Sequence, residues 1–404
     1  MNPQSLKNAS PRGLWLRTVL VSAMALPMLI FYAIGTLGPL LVADLGIAPH
    51  WLGWLLMSAF GLAALLSLWA GPLVNRLGTR RALALLFWAT LAGYGLLVSL
   101  PGFAGVLLAL AICGVAQALA NPVTHLLVAE CVEARSKAAL VGLKQSGVQV
   151  SALFAGLVLP ALAGHLGWRA ALACLLLPTL LLALWGPRVA PAGVTGKPVS
   201  LKISWPNSRL GLLLGGQLCV GLVLASFVTF LGLFAARQGV AVGESGAMVA
   251  GFGVMGILAR TVLTPWAARL AEESWLLLTL LLLASLALAV TAQATPQAHW
   301  PLWFGALGMG LTAVATQAIA MSMLLRDPAF GSPATASSLL SAGFFLGFAL
   351  GPLLFGLVQQ RQGGFAYAWL FLIAVLLLGG VFSLLLARLR RRDAMGRGGL
   401  TPER

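Results

Sequence analysis

The sequence predicts an all-α integral membrane protein with twelve transmembrane helices in two pseudo-symmetric halves of six. Three observations lead to this fold class: the composition, the recurrence of long apolar segments, and the placement of the basic residues. Hydrophobic residues make up 60% of the 404 residues and charged residues only 8%, whereas a soluble globular protein carries about 25% charged residues. A chain of this composition cannot cover its own surface in water, so most of that surface must face lipid.

The apolar segments are each long enough to cross roughly 30 Å of hydrocarbon as a helix. The first is too long for the apolar core of a cleaved signal peptide, so we expect it to remain as a helix. A Pro- and Gly-rich segment with four basic residues divides the chain into the predicted domains 1–187 and 210–404, joined by a cytoplasmic linker, 188–209. The predicted helices are 16–42, 51–73, 82–100, 103–129, 138–163, 168–186, 210–236, 245–268, 275–293, 300–325, 332–358 and 366–388.

Basic residues outnumber acidic ones by 25 to 9 and give a net charge of +16. With the N-terminus in the cytoplasm, 20 of the 25 fall in cytoplasmic segments and only Arg169, Arg237 and Arg361 on the opposite side. By the positive-inside rule, this asymmetry predicts that both termini are cytoplasmic. A nucleic-acid-binding protein would instead carry such charge on soluble, polar elements. The arginines from 388 to 392 are expected to contact anionic lipid.

The segment between predicted helices 2 and 3, GPLVNRLGTRR (71–81), resembles the loop signature Gly-x-Leu-Ala-Asp-Arg-x-Gly-Arg-Lys/Arg of the major facilitator superfamily. With the twelve helices, the division into halves and the basic linker, the resemblance covers nearly the whole chain. It implies a monomeric secondary transporter of the bacterial inner membrane, whose two halves rock about a central site. It also implies a conformational-gating role for Gly71, Asn75, Arg76, Gly78 and Arg80.

One position departs from that signature. Gly71 is expected to let helix 2 approach a neighbour closely, and Gly78 to permit a tight turn. In the family, the fifth position is an aspartate that faces the N-terminus of helix 11, whereas this chain has Asn75. The amide lacks a charge against the helix dipole, a loss of about 0.3–1 kcal/mol. Ser332 and Pro333 can satisfy the backbone amides at that N-terminus without an acid. We therefore expect a weaker lock between the halves than an aspartate would give.

Two cations, Lys144 and Arg260, are predicted inside helices 5 and 8, about two turns from their cytoplasmic ends. A charge at the bilayer centre costs roughly 2.5–3.5 kcal/mol or more, so it normally faces a cavity or a partner. No acidic residue is predicted within a helix to pair with them. One interpretation is snorkelling toward the headgroups or structural hydrogen bonding. The other is that both cations face a central pathway and bind an anion.

Polar side chains lie at a similar depth on neighbouring helices. Gln117, Asn121 and His125 are spaced by four residues and so share one face of helix 4. Pro122 frees a backbone carbonyl that can line a cavity. His125 is a candidate proton carrier, with a hydrogen-bonded structural histidine as the alternative. The predicted substrate-binding residues are Lys144, Arg260, Gln145, Gln117, Asn121 and Gln317.

Intramembrane cations without intramembrane acids favour a secondary active transporter that moves a small organic anion, such as a carboxylate, by alternating access, for example as a symporter. The alternative is a drug/proton antiporter (multidrug efflux) of the same superfamily. Such antiporters have an arginine in helix 4 four residues before a glycine, but here Leu110 precedes Gly114. A non-transporting receptor would need a larger soluble part than the about 16 residues after Arg388.

The sequence contains no constellation of catalytic residues and no phosphate-binding loop. Its four cysteines are scattered without a CxxC spacing, so no metal site or disulfide framework is predicted. We therefore expect neither an enzyme nor a cofactor-binding protein. The expected partners are a small-molecule substrate, with or without a co-transported proton, and membrane lipids, but no nucleic acid.

Overall fold

The computed structural model describes residues 11–131, 134–191, 206–267, 269–270, 272–331, 333–361 and 364–398. Within this part of the chain, twelve helices are long and apolar enough to cross a membrane. The only β-structure there is an isolated bridge between Thr295 and Ala298. The predicted fold class, an all-α protein with twelve transmembrane helices, is therefore confirmed.

Ten of the twelve helices are uninterrupted. They are α1 (Pro11–Thr36), α2 (Trp51–Leu77), α3 (Thr79–Ser99), α4 (Gly102–Cys131), α5 (Ala134–Leu166), α7 (Ser208–Arg237), α9 (Glu273–Thr291), α10 (Trp300–Arg326), α11 (Pro333–Gln359) and α12 (Phe365–Gly398). The helix α6 comprises two segments, Trp168–Ala173 and Leu176–Trp185. The helix α8 runs from Val242 to Leu258, continues as a π-helix over Ala259–Leu263 and ends with Thr264–Ala267.

Two predicted features fall largely outside this part of the chain. Most of the predicted linker, residues 192–205, lies outside the described residues. Ser332, the predicted N-cap of helix 11, also lies outside them. The first predicted helix, 16–42, differs from the structure because α1 ends at Thr36 and a separate short helix, Gly38–Leu45, follows it.

The helices define two faces of the molecule. The N-terminal face is the one where α1 begins and where α2 connects to α3, α8 to α9 and α10 to α11. At the opposite face, an ionic contact joins the end of the Gly38–Leu45 helix to α6. Asp44 Oδ2 accepts hydrogen bonds from Trp168 Nε1 at 3.0 Å and from Arg169 Nη1 at 2.7 Å. The bond from the Trp168 indole, followed by that from Arg169, lowers the pKa of the Asp44 carboxyl.

Close glycine contacts bring the first six helices against the last six near the opposite face. A Cβ atom at Gly53 of α2 would lie 2.5 Å from the carbonyl oxygen of Pro352 in α11. A Cβ atom at Gly35 of α1 would lie 2.5 Å from the carbonyl oxygen of Val228 in α7. Only glycine permits backbones to approach this closely. The two sets of helices are therefore packed together tightly at this face.

At the N-terminal face, an ionic cluster joins α12 to the start of α9 and the end of α10. Arg390 of α12 lies 3.3 Å from a carboxylate oxygen of Glu272 and 3.4 Å from one of Asp327. Arg326 at the end of α10 forms an ion pair with Glu273 at the start of α9. Arg390 therefore pairs with carboxylates of its own chain. The lipid contact expected for the arginines from 388 to 392 stays a prediction.

Candidate functional site

A cavity of about 400 Å³ lies between the first and the last six helices, on the side of the N-terminal face. Its walls come from α2, α4, α5, α8, α10 and α11, and they reach Gly71, Gly142 and Ser337 near the helix ends at that face. Its volume falls within the range of about 300–1,000 Å³ typical of small-molecule sites. We call it the outer cavity.

A smaller chamber of about 50 Å³ lies deeper, toward the opposite face. We call it the inner chamber, and helices α1 and α7 contribute to its wall together with α4, α5, α8, α10 and α11. Five residues belong to the walls of both spaces and so mark the junction between them. They are Asn121, Gln145, Arg260, Gln317 and Phe345.

The guanidinium of Arg260 lies at the centre of this junction. Its Nη1 donates to Gln145 Oε1 and its Nη2 to Gln317 Oε1, both at 3.1 Å. Gln145 in turn donates from Nε2 to Asn121 Oδ1 at 3.2 Å. These bonds connect α8 and α10 of the last six helices with α4 and α5 of the first six. The Nε of Arg260 is buried and has no hydrogen-bond partner in the described part of the chain.

The π-helical turn of α8 carries Arg260. Pro265 follows this turn and has no backbone N–H to donate to the carbonyl of Thr261, with which its ring would also clash. The helical hydrogen bonds instead shift by one residue, so that the amide of Thr264 donates to the carbonyl of Ala259, five positions earlier. The sequence predicted an ordinary helix over 245–268, so this turn is a correction. Single π-turns within α-helices occur frequently at functional sites.

The positive charge of Arg260 is not balanced locally. Among the described residues, no aspartate or glutamate lines the outer cavity or the inner chamber. Its two hydrogen-bonded partners are neutral amide oxygens. An unpaired charge at membrane depth is costly and normally marks a ligand or ion pathway. The arrangement is suited to receiving an anion.

Lys144, the other intramembrane cation, is placed differently. Its side chain is fully buried and its Nζ donates to Thr124 Oγ1 at 2.7 Å. It lines neither the outer cavity nor the inner chamber. Lys144 therefore neither faces the pathway in this conformation nor snorkels to the surface. Its position agrees with structural hydrogen bonding, which was one of the alternatives that the sequence left open.

The polar face predicted on α4 lies along the cavity wall. Gln117 lines the inner chamber, Asn121 the junction and His125 the outer cavity, as their four-residue spacing indicates. Ala118, whose carbonyl cannot accept a bond from Pro122, also lines the outer cavity. Gln145 and Gln317 lie at the junction. Of the six residues predicted to bind substrate, five thus line the inner chamber, the outer cavity or both, and only Lys144 lines neither.

The loop after α2 agrees with the sequence expectation at one glycine and differs at another. Gly78 has a φ of 77°, so the turn into α3 requires glycine there. A Cβ at Gly71 would meet nothing within 4 Å, so the expected close approach is not present, because Gly71 lies in the cavity wall. Within the described residues, the side chain of Asn75 makes no hydrogen bond, and Arg76 and Arg80 are exposed.

Aromatic and thioether side chains of the inner chamber were not predicted as site residues. Those of α1 follow a helical spacing and share one face, and so do those of α11. That spacing was the available signal, but it is equally typical of a buried structural face. They are Met24, Met28, Phe31 and Tyr32 of α1, Phe252 of α8, and Phe344, Phe345 and Phe348 of α11.

Comparison with known proteins decides the family. The Major Facilitator Superfamily model matches residues 19–332, most of the chain. The chain belongs to the major facilitator superfamily. Its members are secondary transporters, and the twelve apolar helices make this one a multi-pass membrane protein.

A solved structure supports the fold of this superfamily member. A crystal structure of a bacterial homologue of the human lysosomal transporter Spinster, in an inward-facing and occupied conformation, superposes with a TM-score of 0.72. The match covers 94% of this chain and 98% of that one, at 18% sequence identity. At such an identity the likeness extends to the fold alone. No sequence among curated proteins matches this chain.

Proposed function

We propose that this chain is a secondary active transporter of small organic anions, with carboxylates as the first class to test. The observation that carries the proposal is the uncompensated positive charge of Arg260. Its guanidinium lies where the two spaces meet, bonded to Gln145 and Gln317, with no carboxylate lining either space within the described residues. A carboxylate or similar anion would supply the missing charge and accept hydrogen bonds.

The proposed substrate-binding residues are Arg260, Gln145, Gln317, Asn121 and Gln117. Arg260 supplies the charge, and the four amides position the anion and can bond its other polar groups. Lys144 is not proposed as a binding residue, because its ammonium is bonded to Thr124 and it lines neither space. His125, which lines the outer cavity, remains the proposed proton carrier if a proton accompanies the substrate.

We propose alternating access as the mechanism. The outer cavity extends to the N-terminal face, whereas glycine contacts close the opposite face. If both termini lie in the cytoplasm of a bacterium, as the basic residues predict, this conformation is inward-facing. The proposed location is then the inner membrane, and the proposed unit a monomer. In the outward-facing conformation, the glycine contacts at the opposite face would separate and the outer cavity would close.

The test is a thermal-shift screen of the detergent-purified chain against organic anions and lipophilic cations. A ligand that binds only the folded state must stabilise it. We expect one or more carboxylates to raise Tm in the parent and in Arg269→Gln, but not in Arg260→Gln. Arg269 is a matched control because it is an exposed arginine near the end of α8, outside both linings.

Two outcomes would contradict the proposal. Stabilisation by lipophilic cations alone would favour the drug/proton antiporter. Stabilisation by anions that persists in Arg260→Gln would place the anion elsewhere. A cation exporter would be expected to have an acidic residue facing its cavity, which neither lining contains within the described residues.

A further inference from the structure

We infer that the substrate is an amphipathic monoanion, with one carboxylate at Arg260 and a compact aromatic body in the inner chamber. This inference rests on the anion site proposed above. It adds the number of charges and the nature of the uncharged part, which the guanidinium alone does not determine.

The wall of the inner chamber is polar at the junction and mainly apolar elsewhere. Five phenylalanines and two methionines line it, together with Val148, Leu224, Val228 and Val314. Away from the junction, Tyr32, Gln117 and Gln149 are the polar side chains among the described residues of this wall, too few to replace the hydrogen bonds that a sugar or a polyol makes with water. An apolar body would instead bury its surface favourably.

The aromatic rings of the chamber pack against one another in geometries that a bound ring could join. Phe348 lies 5.1 Å from Phe31 and 4.7 Å from Phe344, and Tyr32 lies 6.3 Å from Phe252, all between ring centroids in tilted geometries. Tilted and edge-to-face arrangements are those that aromatic rings prefer. Because these contacts join α1 to α11 and to α8, a ring bound among them would contact both halves of the chain.

The chamber also limits the size of the body. Its volume is about 50 Å³, and one water needs about 10–15 Å³ on this scale. The chamber therefore has room for only a few water molecules. That space suits a single ring better than a long alkyl chain or a fused ring system. The flexible, polarisable side chains of Met24 and Met28 can adapt to the shape of the ring.

Only one negative charge can be balanced. Arg260 is the single lysine or arginine that lines either space in the described part of the chain. The ammonium of Lys144 is directed to Thr124 instead. A second carboxylate on the same ring would lie among phenylalanines without a counter-charge, and burying an unpaired charge is strongly unfavourable.

The experiment compares four probes on the purified full-length chain by isothermal titration calorimetry. The probes are acetate, phenylacetate, its neutral amide phenylacetamide, and the dianion 1,4-phenylenediacetate. Phenylacetate is expected to bind about tenfold or more tightly than acetate, since even small apolar groups change affinity in a hydrophobic pocket by about 10–200-fold. The same margin is expected over the amide, which lacks the charge for Arg260, and over the dianion, which adds an unpaired one. The series needs no variant and so does not depend on the folding of one.

A pair of phenylalanine variants locates the ring. Phe348→Leu is expected to weaken phenylacetate binding about threefold to tenfold and to leave acetate binding unchanged. Phe355→Leu is the matched control, because Phe355 is fully buried among other rings and lines neither space. Equal loss in both variants would overturn the assignment of the ring to the chamber.

The remaining outcomes distinguish this inference from the proposed function. Acetate or the dianion binding as tightly as phenylacetate overturns the inference while the anion site stands. Phenylacetamide binding as tightly as phenylacetate overturns the anion site itself. Failure of all three carboxylates to bind overturns both.

Discussion

Two cations that look alike in the sequence have different environments in the folded chain. Arg260 is bonded to two amide oxygens in the wall of the cavity, whereas the ammonium of Lys144 is bonded to a single hydroxyl in the protein interior. The difference arises from their helices, because the π-turn presents Arg260 at the junction and the regular helix α5 directs Lys144 toward α4. The two side chains should therefore respond differently to substitution.

A double-mutant cycle tests the environment of Lys144. Thr124→Val removes the hydroxyl partner of a buried ammonium, which we expect to lower the free energy of unfolding by about 1–3 kcal/mol. Lys144→Met should be nearly neutral, because replacing a buried charge by an apolar side chain of similar length removes its desolvation cost. The double variant should be no less stable than Lys144→Met alone. Additive losses in thermal unfolding would show that the two residues are not coupled.

At the scale of the helix, the π-turn of α8 links the sequence to the proposed site. Pro265→Ala restores the backbone donor that an α-helical bond to the Thr261 carbonyl needs. The helix should then become regular and rotate Arg260 away from Gln145 and Gln317. We expect the anion-induced Tm shift to decrease several-fold while the ligand-free Tm is unchanged or higher.

Pro72→Ala in α2 provides the control for this prediction. Pro72 also lies inside a membrane helix, but α2 is α-helical throughout and contributes no residue to the junction. Its replacement should leave the anion-induced Tm shift at the parent value. Retention of the parent shift in Pro265→Ala would show that the π-turn does not position Arg260.

The loop after α2 allows a second prediction at this scale. Asn75→Asp restores the charge that the family places opposite the N-terminus of helix 11, worth about 0.3–1 kcal/mol. It should favour the conformation in which the N-terminal face is closed. The measurement is the labelling rate of Ser341→Cys in the outer cavity, in a background without the four native cysteines. We expect labelling about twofold to fivefold slower, and an unchanged rate would refute a role for Asn75 in the lock.

At the scale of the whole molecule, the two halves touch most closely where glycines meet backbone. Gly53→Val would place side-chain atoms against the Pro352 carbonyl and so should disfavour the observed conformation. Slower labelling of Ser341→Cys is expected, because the outer cavity would be open for less of the time. Gly95→Val is the control, since a Cβ there meets nothing within 4 Å. Similar rates in both variants would contradict this account of closure.

Much of the fold is predictable because its cause is local. A run of about 20 apolar residues must satisfy its backbone as a helix in lipid, whatever surrounds it. The four-residue spacing of Gln117, Asn121 and His125 likewise fixes a shared face before any packing is known. These features therefore follow from the sequence and are present in the structure.

The remaining features depend on tertiary packing. The direction of Lys144 depends on Thr124, twenty positions earlier on another helix. The open wall at Gly71 depends on which face of the molecule is closed. The phenylalanines of α11 have a spacing that suits a buried core as well as a binding chamber, so only the arrangement of α1, α8 and α11 distinguishes these two possibilities.

The most direct test of the account is counterflow of a labelled anion in proteoliposomes, using the anion that stabilises the parent chain most. The account predicts saturable counterflow by the parent and by Arg269→Gln. It predicts an apparent affinity about 10–100-fold weaker in Arg260→Gln, since a hydrogen bond to a charged group contributes about 1.5–3 kcal/mol. Counterflow by Arg260→Gln with the affinity of the parent would contradict the assignment of Arg260 as the anion site.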